Sequence, residues 1–514
     1  MVFFLTPFVL ESLGKERYAV WILATSLTGY YGLLAFGLQG GVTQYLTRYM
    51  AARDYDRMNA SASTAFVALL YVAGAVLAAA VATACVAPHI FQVSAENKAE
   101  VFWVILIVGF SSAMQFALFI FSAAFVATQR YDLSNLIGIG TRILSAALIW
   151  AAITLGYGLV GISLAMASTD SLGCLLRWRI AGRLMPQLHI SRRLARMDML
   201  RELFSYSTWN FLISIAQSIF MQVDALVIGL FMPLAAITPY SLAASLTRQL
   251  ESVLNPISQV FFPVVTDLHA RGETKVLKRV YLSGSRTILV VVAMLTGLAA
   301  FWAEDFFRLW LGPEYVSGKE YPSVAVLSYI LLAAVFARFF PGVGGQILLG
   351  SLRVKPLAIF AFVEAMANLI LSIVLIQFYG LKGVAVATLL SVVLFRSMVG
   401  PVLLARQLDT PWWRYVGYVL LRPLLVAALA LLGAATIRHF WVPERMVSLL
   451  AQGLFASMLA LPGFIFIGLN RAERQQIVWE PLRLIGCRFG RNNVDSKTCS
   501  NRFVHQDVPG TIHD

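Results

Sequence analysis

Eight ionisable residues interrupt the interiors of long apolar segments of this sequence. They are Arg142, Asp170, Asp224, Arg248, Glu251, Arg338, Glu364 and Arg396. A charge at the centre of a membrane segment costs about 2.5–3.5 kcal/mol on insertion scales, so such residues normally face a polar cavity or one another. Four arginines exceed what helix packing requires. We therefore expect the ionised residues to line a charged cavity, while interhelical ion pairs remain the alternative.

The spacing of neighbouring polar residues supports shared helix faces. Arg248, Glu251 and Asn255 are three or four positions apart, and so are Glu364, Asn368 and Ser372. Such spacing places each set on one stripe of a helix. For the amide and hydroxyl members, hydrogen bonds that hold a helix bundle together are the simpler interpretation.

The composition requires a lipid environment. The 514 residues are 59% hydrophobic and 13% charged, with a mean hydropathy of +0.76, against about 45–50% and 25% in soluble domains. Continuous uncharged runs of about 20 residues or more predict membrane-spanning helices, and they exclude the alternating strands of a transmembrane barrel. The fold class is therefore an all-α polytopic membrane protein.

The hydropathy pattern predicts about 14 transmembrane helices. We place them at roughly 1–11, 18–43, 62–87, 101–127, 133–155, 158–180, 205–232, 234–265, 284–311, 321–349, 354–378, 381–405, 414–441 and 446–470. The predicted units are an N-terminal six-helix bundle (1–180), a basic cytoplasmic linker (181–204), a C-terminal six-helix bundle (205–405), two extra helices (406–470) and a cytoplasmic tail (471–514).

The distribution of Lys and Arg predicts the orientation of these spans. Together with the adjoining span ends, alternate connections and the tail carry 26 of the 40 basic residues, and the opposite connections carry 8. Basic residues are retained in the cytoplasm, so the first set, with the C-terminus, is assigned to that side. The net charge of +14 is thereby explained without nucleic acid as a partner.

An internal repeat relates the two bundles. YGLVGISLA (157–165) returns as YGLKGVAVA (379–387), an offset of 222, and Arg130 and Arg353 repeat at 223. Spans one to six are thus repeated as spans seven to twelve, and both copies enter the membrane from the same face. The same offset makes Arg142 and Glu364 equivalent, either as an ion pair across the pseudo-axis or as opposite walls of a cavity. It also places the expected start of the first helix about 17 residues before Met1, so that helix is expected to be truncated.

Several classes of site are not indicated by the sequence. The four cysteines are scattered without metal-ligand or disulfide spacing, and the histidines fall mainly in loops or the tail. Neither a Walker A motif nor a nucleophile elbow occurs, so we expect no cofactor, no metal and no enzymatic activity.

Five stretches together resemble the polysaccharide branch of the multidrug/oligosaccharidyl-lipid/polysaccharide (MOP) exporter superfamily, the O-antigen and exopolysaccharide repeat-unit flippases. They are LGKERYAVWILATSLTGYYGLLAFGLQGGVTQYLTRYMAARDYDRMN (13–59), QRYDLSN (129–135) with LGYGLVGIS (155–163), FPVVTDLHARGE (262–273), LWLGPEY (309–315) and FYGLKGVAVATL (378–389). The likeness covers roughly residues 5–405.

The resemblance implies a function in surface polysaccharide biosynthesis (lipopolysaccharide or exopolysaccharide). The implied activity is translocation of an undecaprenyl-pyrophosphate-linked oligosaccharide, a polyprenyl-pyrophosphate lipid, from the cytoplasmic to the periplasmic leaflet of the bacterial inner membrane by alternating access. A polysaccharide polymerase and export proteins are implied partners. Because guanidinium groups bind phosphate oxygens in pairs, the candidates for the pyrophosphate are Arg142, Arg248, Arg338 and Arg396. Asp224, Glu251 and Glu364 are candidates for a coupling proton or sodium ion, or for charge balance.

Three other functions remain as alternatives. A drug or cation antiporter of the same superfamily would favour acidic and aromatic cavity walls, whereas arginines here match or outnumber acids within the spans. A membrane glycosyltransferase or polymerase would favour a sizeable external loop, and the longest such loops (88–100 and 312–320) are short. A lipid II flippase is a close variant that the sequence does not separate from the first interpretation.

Overall fold

The computed structural model describes residues 2–35, 38–91, 97–350, 354–399, 401–402, 404, 411–470 and 474–475. Within these ranges the chain is almost entirely helical and contains no β-strand, which confirms the predicted all-α class. The predicted tail (471–514) lies outside the described residues except for two positions.

Seven helices form the N-terminal half. They are α1 (Val2–Gly29), α2 (Leu38–Ala51), α3 (Tyr55–Ile90), α4 (Lys98–Ala117), α5 (Phe119–Ala127), α6 (Tyr131–Thr154) and α7 (Gly158–Leu184). The first two predicted spans meet within α1 at Gly14, whose backbone is non-helical (φ 76°, ψ 171°). Asp54 starts α3 by accepting a hydrogen bond from the backbone N–H of Arg57 (3.1 Å), as expected of an N-cap.

Nine helices with defined bounds lie in the described part of the C-terminal half. They are α8 (Met197–Phe231), α9 (Ile237–Gln259), α10 (Phe261–Ala270), α11 (Thr274–Phe301), α12 (Ala303–Leu311), α13 (Val324–Phe339), α14 (Gly344–Gly350), α15 (Val354–Tyr379) and α16 (Leu381–Val392). A wider helical turn continues α16 over Val393–Val399. The predicted ninth span (284–311) is broken at Trp302, where the short helix α12 begins.

Two further helices, α17 (Trp412–Phe440) and α18 (Met446–Gly463), pack against the C-terminal half. Arg286 of α11 holds α17 in place: its side chain is fully buried, donates to the Tyr418 hydroxyl (2.6 Å) and lies 4.8 Å from the centre of that ring. A second tie joins α17 to α12, because Arg438 pairs with the buried carboxylate of Asp305 (3.0 Å).

Ten described helices are long and apolar enough to cross a membrane, or eleven if the bent α1–α2 pair counts as one span. The protein is thus a multi-pass membrane protein. Three of the 14 predicted spans are not separate candidates among the described residues. The first merges with the second in the bent α1–α2 pair, and the eighth carries Arg248 and Glu251 in α9. The tenth is interrupted between α13 and α14, where Gly342 has a φ of 57°.

The structure reproduces the internal repeat locally. Gly158 and Gly380, the matched glycines of the two similar strings, both have φ 57° and both lie at a helix start: Gly158 is the first residue of α7, and Gly380 directly precedes α16. The α4–α5 break at Leu118 corresponds, at an offset of 223, to the α13–α14 break at Pro341. The two halves therefore share register as well as topology.

The buried cores show how the halves meet. At one end of the molecule a single core joins both halves and includes Val20 of α1, Ile237 of α9 and Leu327 of α13. At the opposite end there are two separate cores, one mainly from α2, α3 and α5 and the other from α9 to α17. Among the side chains that the structure describes, Leu203 at the start of α8 is the residue of the C-terminal half in the first of these cores. The halves thus share one core at one end and have mainly separate cores at the other, where α2 still contacts the start of α8 through Tyr45 and Glu202.

Candidate functional site

A small cavity lies inside the C-terminal half, between α8, α9, α13 and α16. Its volume is about 70 Å³, which is room for about two water molecules. The polar residues of its wall are Asp224, Tyr240, Thr247, Arg248, Glu251, Arg338 and Thr388. Two of the four candidate arginines and two of the three candidate acids therefore meet in one place.

Arg338 of α13 is held by two groups from other helices. Its Nη1 lies 3.3 Å from Oε1 of Glu251 on α9, and its guanidinium lies 4.8 Å from the centre of the Phe220 ring on α8. Both charged side chains are about 15% exposed, at 16% and 14%. Removing two charges from water is costly, and it is tolerated here because each charge faces an opposite one.

Arg248 of α9 is exposed to the cavity. One guanidinium nitrogen approaches the carbonyl oxygen of Ser241 (3.4 Å), and the charge interacts at longer range with Glu251, Asp224 and Tyr18. Glu251 thus acts on both arginines: it pairs directly with Arg338 and only at a distance with Arg248, its neighbour in sequence. The cavity-facing guanidinium of Arg248 is available to an incoming anion.

Asp224 of α8 is the acid at the inner end of the cavity. Its Oδ2 accepts a hydrogen bond from the Tyr240 hydroxyl (2.5 Å), and Thr388 of α16 is within reach of the same carboxylate. Among the described residues, its buried Oδ1 has no hydrogen-bond partner. A buried oxygen in that position can accept a proton or contact a small cation.

A buried polar network continues from Thr388 away from the cavity. Asn368 of α15 donates to the hydroxyls of Thr388 (3.3 Å) and Ser391 (3.2 Å), and its own oxygen accepts from Ser372 (3.4 Å). Asn368, Ser372 and Ser391 are completely buried. Sequence reasoning placed Asn368 and Ser372 on one stripe with Glu364, but it gave no role to Tyr240 or Thr388, whose partners lie on other helices.

Glu364 and Arg396 form a second ion pair in the same half. Nε of Arg396 donates to both carboxylate oxygens of Glu364, at 2.7 and 2.9 Å, and Glu364 is only 2% exposed. The pair joins α15 to the wide turn after α16. Arg338 interacts electrostatically with both members, so the two ion pairs form a connected row of alternating charges.

Arg142 is not part of this cluster. It is exposed on α6, and its charge acts on Asp170 of α7, which also accepts hydrogen bonds from Ser111 (3.3 Å) and Gln115 (3.5 Å) on α4. Of the two arrangements considered for Arg142 and Glu364, the ion pair is not the one in this structure, because Glu364 is bound to Arg396. The two residues belong to separate polar clusters, one in each half.

Comparison with known proteins agrees with this architecture. Over 93% of its length the chain is 22% identical to the uncharacterized membrane protein EpsK of Bacillus subtilis, of which it covers 94%. Its fold matches the inward-facing conformation of a multidrug resistance MATE family transporter of the MOP superfamily (TM-score 0.66, 14% identity, 79% of this chain and 94% of that one). It also matches the lipid II flippase MurJ in its inward closed conformation (TM-score 0.66, 15% identity, 93% and 97%).

A family model gives the assignment. Residues 12–269, half of the chain, match the model described as polysaccharide biosynthesis protein. The resemblance predicted from the sequence is thereby confirmed, and the match includes α8 and α9, which carry Asp224, Arg248 and Glu251. The chain belongs to the polysaccharide biosynthesis protein family, within the MOP superfamily fold.

Proposed function

We propose that this protein moves an undecaprenyl-pyrophosphate-linked oligosaccharide from the cytoplasmic to the periplasmic leaflet of the bacterial inner membrane by alternating access. One observation carries the proposal: Arg248 and Arg338 line a polar cavity inside the membrane-spanning bundle of a chain from the polysaccharide biosynthesis family. An anionic headgroup needs such cations to cross a medium of low dielectric constant.

The state of the cavity suggests how the headgroup is bound. With no anion present, Glu251 balances the two arginines, and the remaining space is too small for a pyrophosphate group. Entry of the headgroup requires Arg338 to exchange Glu251 for phosphate oxygens, which offer the guanidinium bidentate and charge-assisted hydrogen bonds. The carboxylate thus stabilises the empty site and is displaced by substrate.

The arrangement of the two halves supplies a route. They share one core at one end and have mainly separate cores at the other, and the basic residues assign the separated end to the cytoplasm. The proposal requires the site to open toward this end, the side on which lipid-linked sugars would enter. The undecaprenyl chain can remain in the bilayer while only the headgroup crosses between the halves.

Asp224 is the proposed coupling residue. Its partnerless Oδ1 lies deep in the C-terminal half, and its charge also acts on Arg248. A proton or sodium ion on this carboxylate would weaken its hold on the arginine and so link cation binding to headgroup binding. Glu251 and Glu364, which are paired with arginines, serve charge balance.

Transport of lipid II is the second candidate function, because the solved structure of a lipid II flippase matches 93% of this chain. A drug antiporter is less well supported, since the cavity has two arginines where a cationic drug would need acids. The assay below separates these candidates through the lipid that accumulates.

The test is complementation of a strain deleted for the gene. We expect wild-type protein to restore surface polysaccharide, and Arg338→Ala to leave lipid-linked oligosaccharide on the cytoplasmic leaflet. Arg271→Ala is the matched control, because Arg271 forms an exposed ion pair with Asp267 (3.0 Å) outside the site. Accumulation of lipid II, or normal polysaccharide from Arg338→Ala, would contradict the proposal.

A further inference from the structure

An open cleft in the N-terminal half differs in chemistry from the charged cavity. It has a volume of about 750 Å³, within the range of about 300–1,000 Å³ typical of small-molecule sites. Helix α2 and the first residue of α5 form its wall, with Gln39, Thr43, Gln44, Thr47, Arg48 and Phe119. Four of the seven residues that line the cleft carry an amide or a hydroxyl and one carries a charge, while most of the lining surface is apolar.

The exposed face of α2 points away from the buried core. Gln44 and Arg48 are exposed and one turn apart, whereas Leu38, Val42 and Leu46 on the opposite face are buried in the core. Gln44 and Arg48 lie beyond the predicted second span (18–43), on the side to which the basic residues are assigned. This face of α2 therefore borders water at that end of the N-terminal half.

A row of polar residues leads from the cleft into the middle of the N-terminal half. Ser111, Gln115 and Phe119 follow at intervals of four residues along α4 and α5, so each lies one turn from the next. Gln115 and Ser111 both donate to Asp170, at 3.5 and 3.3 Å, and Gln115 and Asp170 are exposed at mid-span.

The internal repeat places this row opposite the charged cavity. At the offset of 223, Ser111 and Gln115 correspond to Ala334 and Arg338, and at 222 Asp170 corresponds to Val392. All three counterparts line the cavity of the C-terminal half. The N-terminal row thus occupies the equivalent wall of its own half, with an amide where the other half has an arginine.

We propose that the N-terminal half binds the saccharide of the substrate through the cleft on α2 and the Gln115–Asp170 cluster, while the C-terminal half holds the pyrophosphate. This inference rests on the proposed function. Sugar hydroxyls donate and accept hydrogen bonds, and glutamine amides do both while a carboxylate accepts. A polar site that hydrogen-bonds substrate hydroxyls also discriminates strongly against ligands that lack them. The cleft would therefore select the oligosaccharide.

The experiment measures binding of two lipids to the full chain in lipid nanodiscs. The first is undecaprenyl pyrophosphate, and the second is the lipid-linked oligosaccharide extracted from cells deleted for the gene. We expect wild-type protein to bind the second at least tenfold more tightly. The double variant Gln44→Leu/Thr47→Val should lose most of that advantage, with the Kd of undecaprenyl pyrophosphate unchanged within twofold, which also shows that the variant is folded.

Two further variants make the result decisive. Thr266→Val changes an exposed residue of α10 at the position equivalent to Gln44, and it should behave as wild type. Gln115→Leu tests the second part of the site independently and should lower oligosaccharide affinity alone. The inference would be overturned if the variants lost affinity for both lipids equally. It would also be overturned if the Gln44→Leu/Thr47→Val and Gln115→Leu proteins still bound the lipid-linked oligosaccharide as much more tightly than undecaprenyl pyrophosphate as the wild type does. Failure of the wild type to bind either lipid would refute the proposed function itself.

Discussion

The two halves of this molecule use one scaffold for different chemistry. In the C-terminal half, the positions facing the interior carry a row of alternating charges that includes Arg338 and Glu364. In the N-terminal half, the equivalent positions carry Gln115 and Arg142, and the large cleft beside them has amides and hydroxyls in its wall. Under the proposed function, one copy of the six-helix unit binds the charged headgroup and the other binds neutral polar groups.

The difference also appears in burial. The Arg338–Glu251 and Arg396–Glu364 pairs of the C-terminal half join different helices and are largely enclosed, whereas Asp170, Gln115 and Arg142 are exposed. Enclosed pairs are costly to break because the partner left behind stays buried and unpaired. Substitutions in the two halves should therefore have effects of different size.

The largest effect is expected from Arg338→Ala. It removes a phosphate ligand and leaves Glu251 without its ion-pair partner, which costs about 3–5 kcal/mol for a buried pair. We expect loss of surface polysaccharide and a lower thermal unfolding temperature of the purified protein. Adding Glu251→Ala should restore most of the stability but none of the transport. Recovery of transport in the double variant would mean that Arg338 has only a structural role.

Glu364→Ala should also destabilise the protein, because it leaves Arg396 without the carboxylate that holds it at 2.7 Å. The expected loss is somewhat smaller, about 2–4 kcal/mol, since Arg396 is 29% exposed and can turn toward water. Thermal unfolding in detergent measures it, and Asp267→Ala, which breaks an exposed pair, is the control. An equal change in unfolding temperature in both variants would show that the Glu364–Arg396 pair contributes no more to stability than an exposed ion pair.

Asp224→Asn should impair transport while leaving headgroup binding intact. The amide can still accept from Tyr240 but cannot bind a proton or carry the charge that acts on Arg248. We expect at least a tenfold lower rate of lipid translocation in proteoliposomes, together with loss of its dependence on the cation gradient. A rate that still follows the gradient would remove Asp224 from coupling.

Arg142→Ala should have a smaller effect than Arg338→Ala, because Arg142 is exposed and its neighbour Asp170 keeps two hydrogen bonds. The sequence alone assigned the same role to both arginines. A partial loss of surface polysaccharide, about tenfold or less, is expected from the structure. Complete loss of surface polysaccharide would indicate that arginines of both halves bind the pyrophosphate.

The smallest effect is expected at the end where the halves share a core. Lys15 of α1 pairs with Glu320 (3.2 Å), and its backbone carbonyl accepts from Thr238 of α9 (2.7 Å). Both charged side chains are partly exposed, so Lys15→Ala should change stability by only about 0–1 kcal/mol. The measurement is thermal unfolding, and a larger shift would indicate that this contact holds the two halves together.

Much of the fold could be predicted because a lipid environment leaves the chain few options. Continuous apolar runs defined most helices to within a few residues, whereas the non-helical backbone at Gly14 within α1 became visible only in the structure. The prediction was less accurate where a helix is polar, as in α9, or where the amphipathic helix α12 follows Trp302. In those two helices, contacts with neighbouring helices stabilise polar residues that would be unfavourable in contact with lipid.

The candidate site was predictable in composition but not in pairing. Mid-span charge identified Arg248, Glu251, Arg338 and Glu364, since each is costly in a membrane. Their partners depend on which helices pack together, and an offset of 222 between Arg142 and Glu364 does not reveal that. Arg286 was missed because it lies at the start of a predicted span, where a charge is expected at the interface, whereas the structure buries it against Tyr418.

The most direct test of the central claim is the affinity of the purified protein for undecaprenyl pyrophosphate, compared with that of an Arg248→Ala/Arg338→Ala variant. Charge-assisted hydrogen bonds contribute about 1.5–3 kcal/mol each, so loss of two should raise the Kd about a hundredfold or more, since each tenfold step corresponds to about 1.4 kcal/mol. Undecaprenol, which has no phosphate, should bind both proteins equally weakly. Unchanged affinity of the double variant for undecaprenyl pyrophosphate would contradict the account.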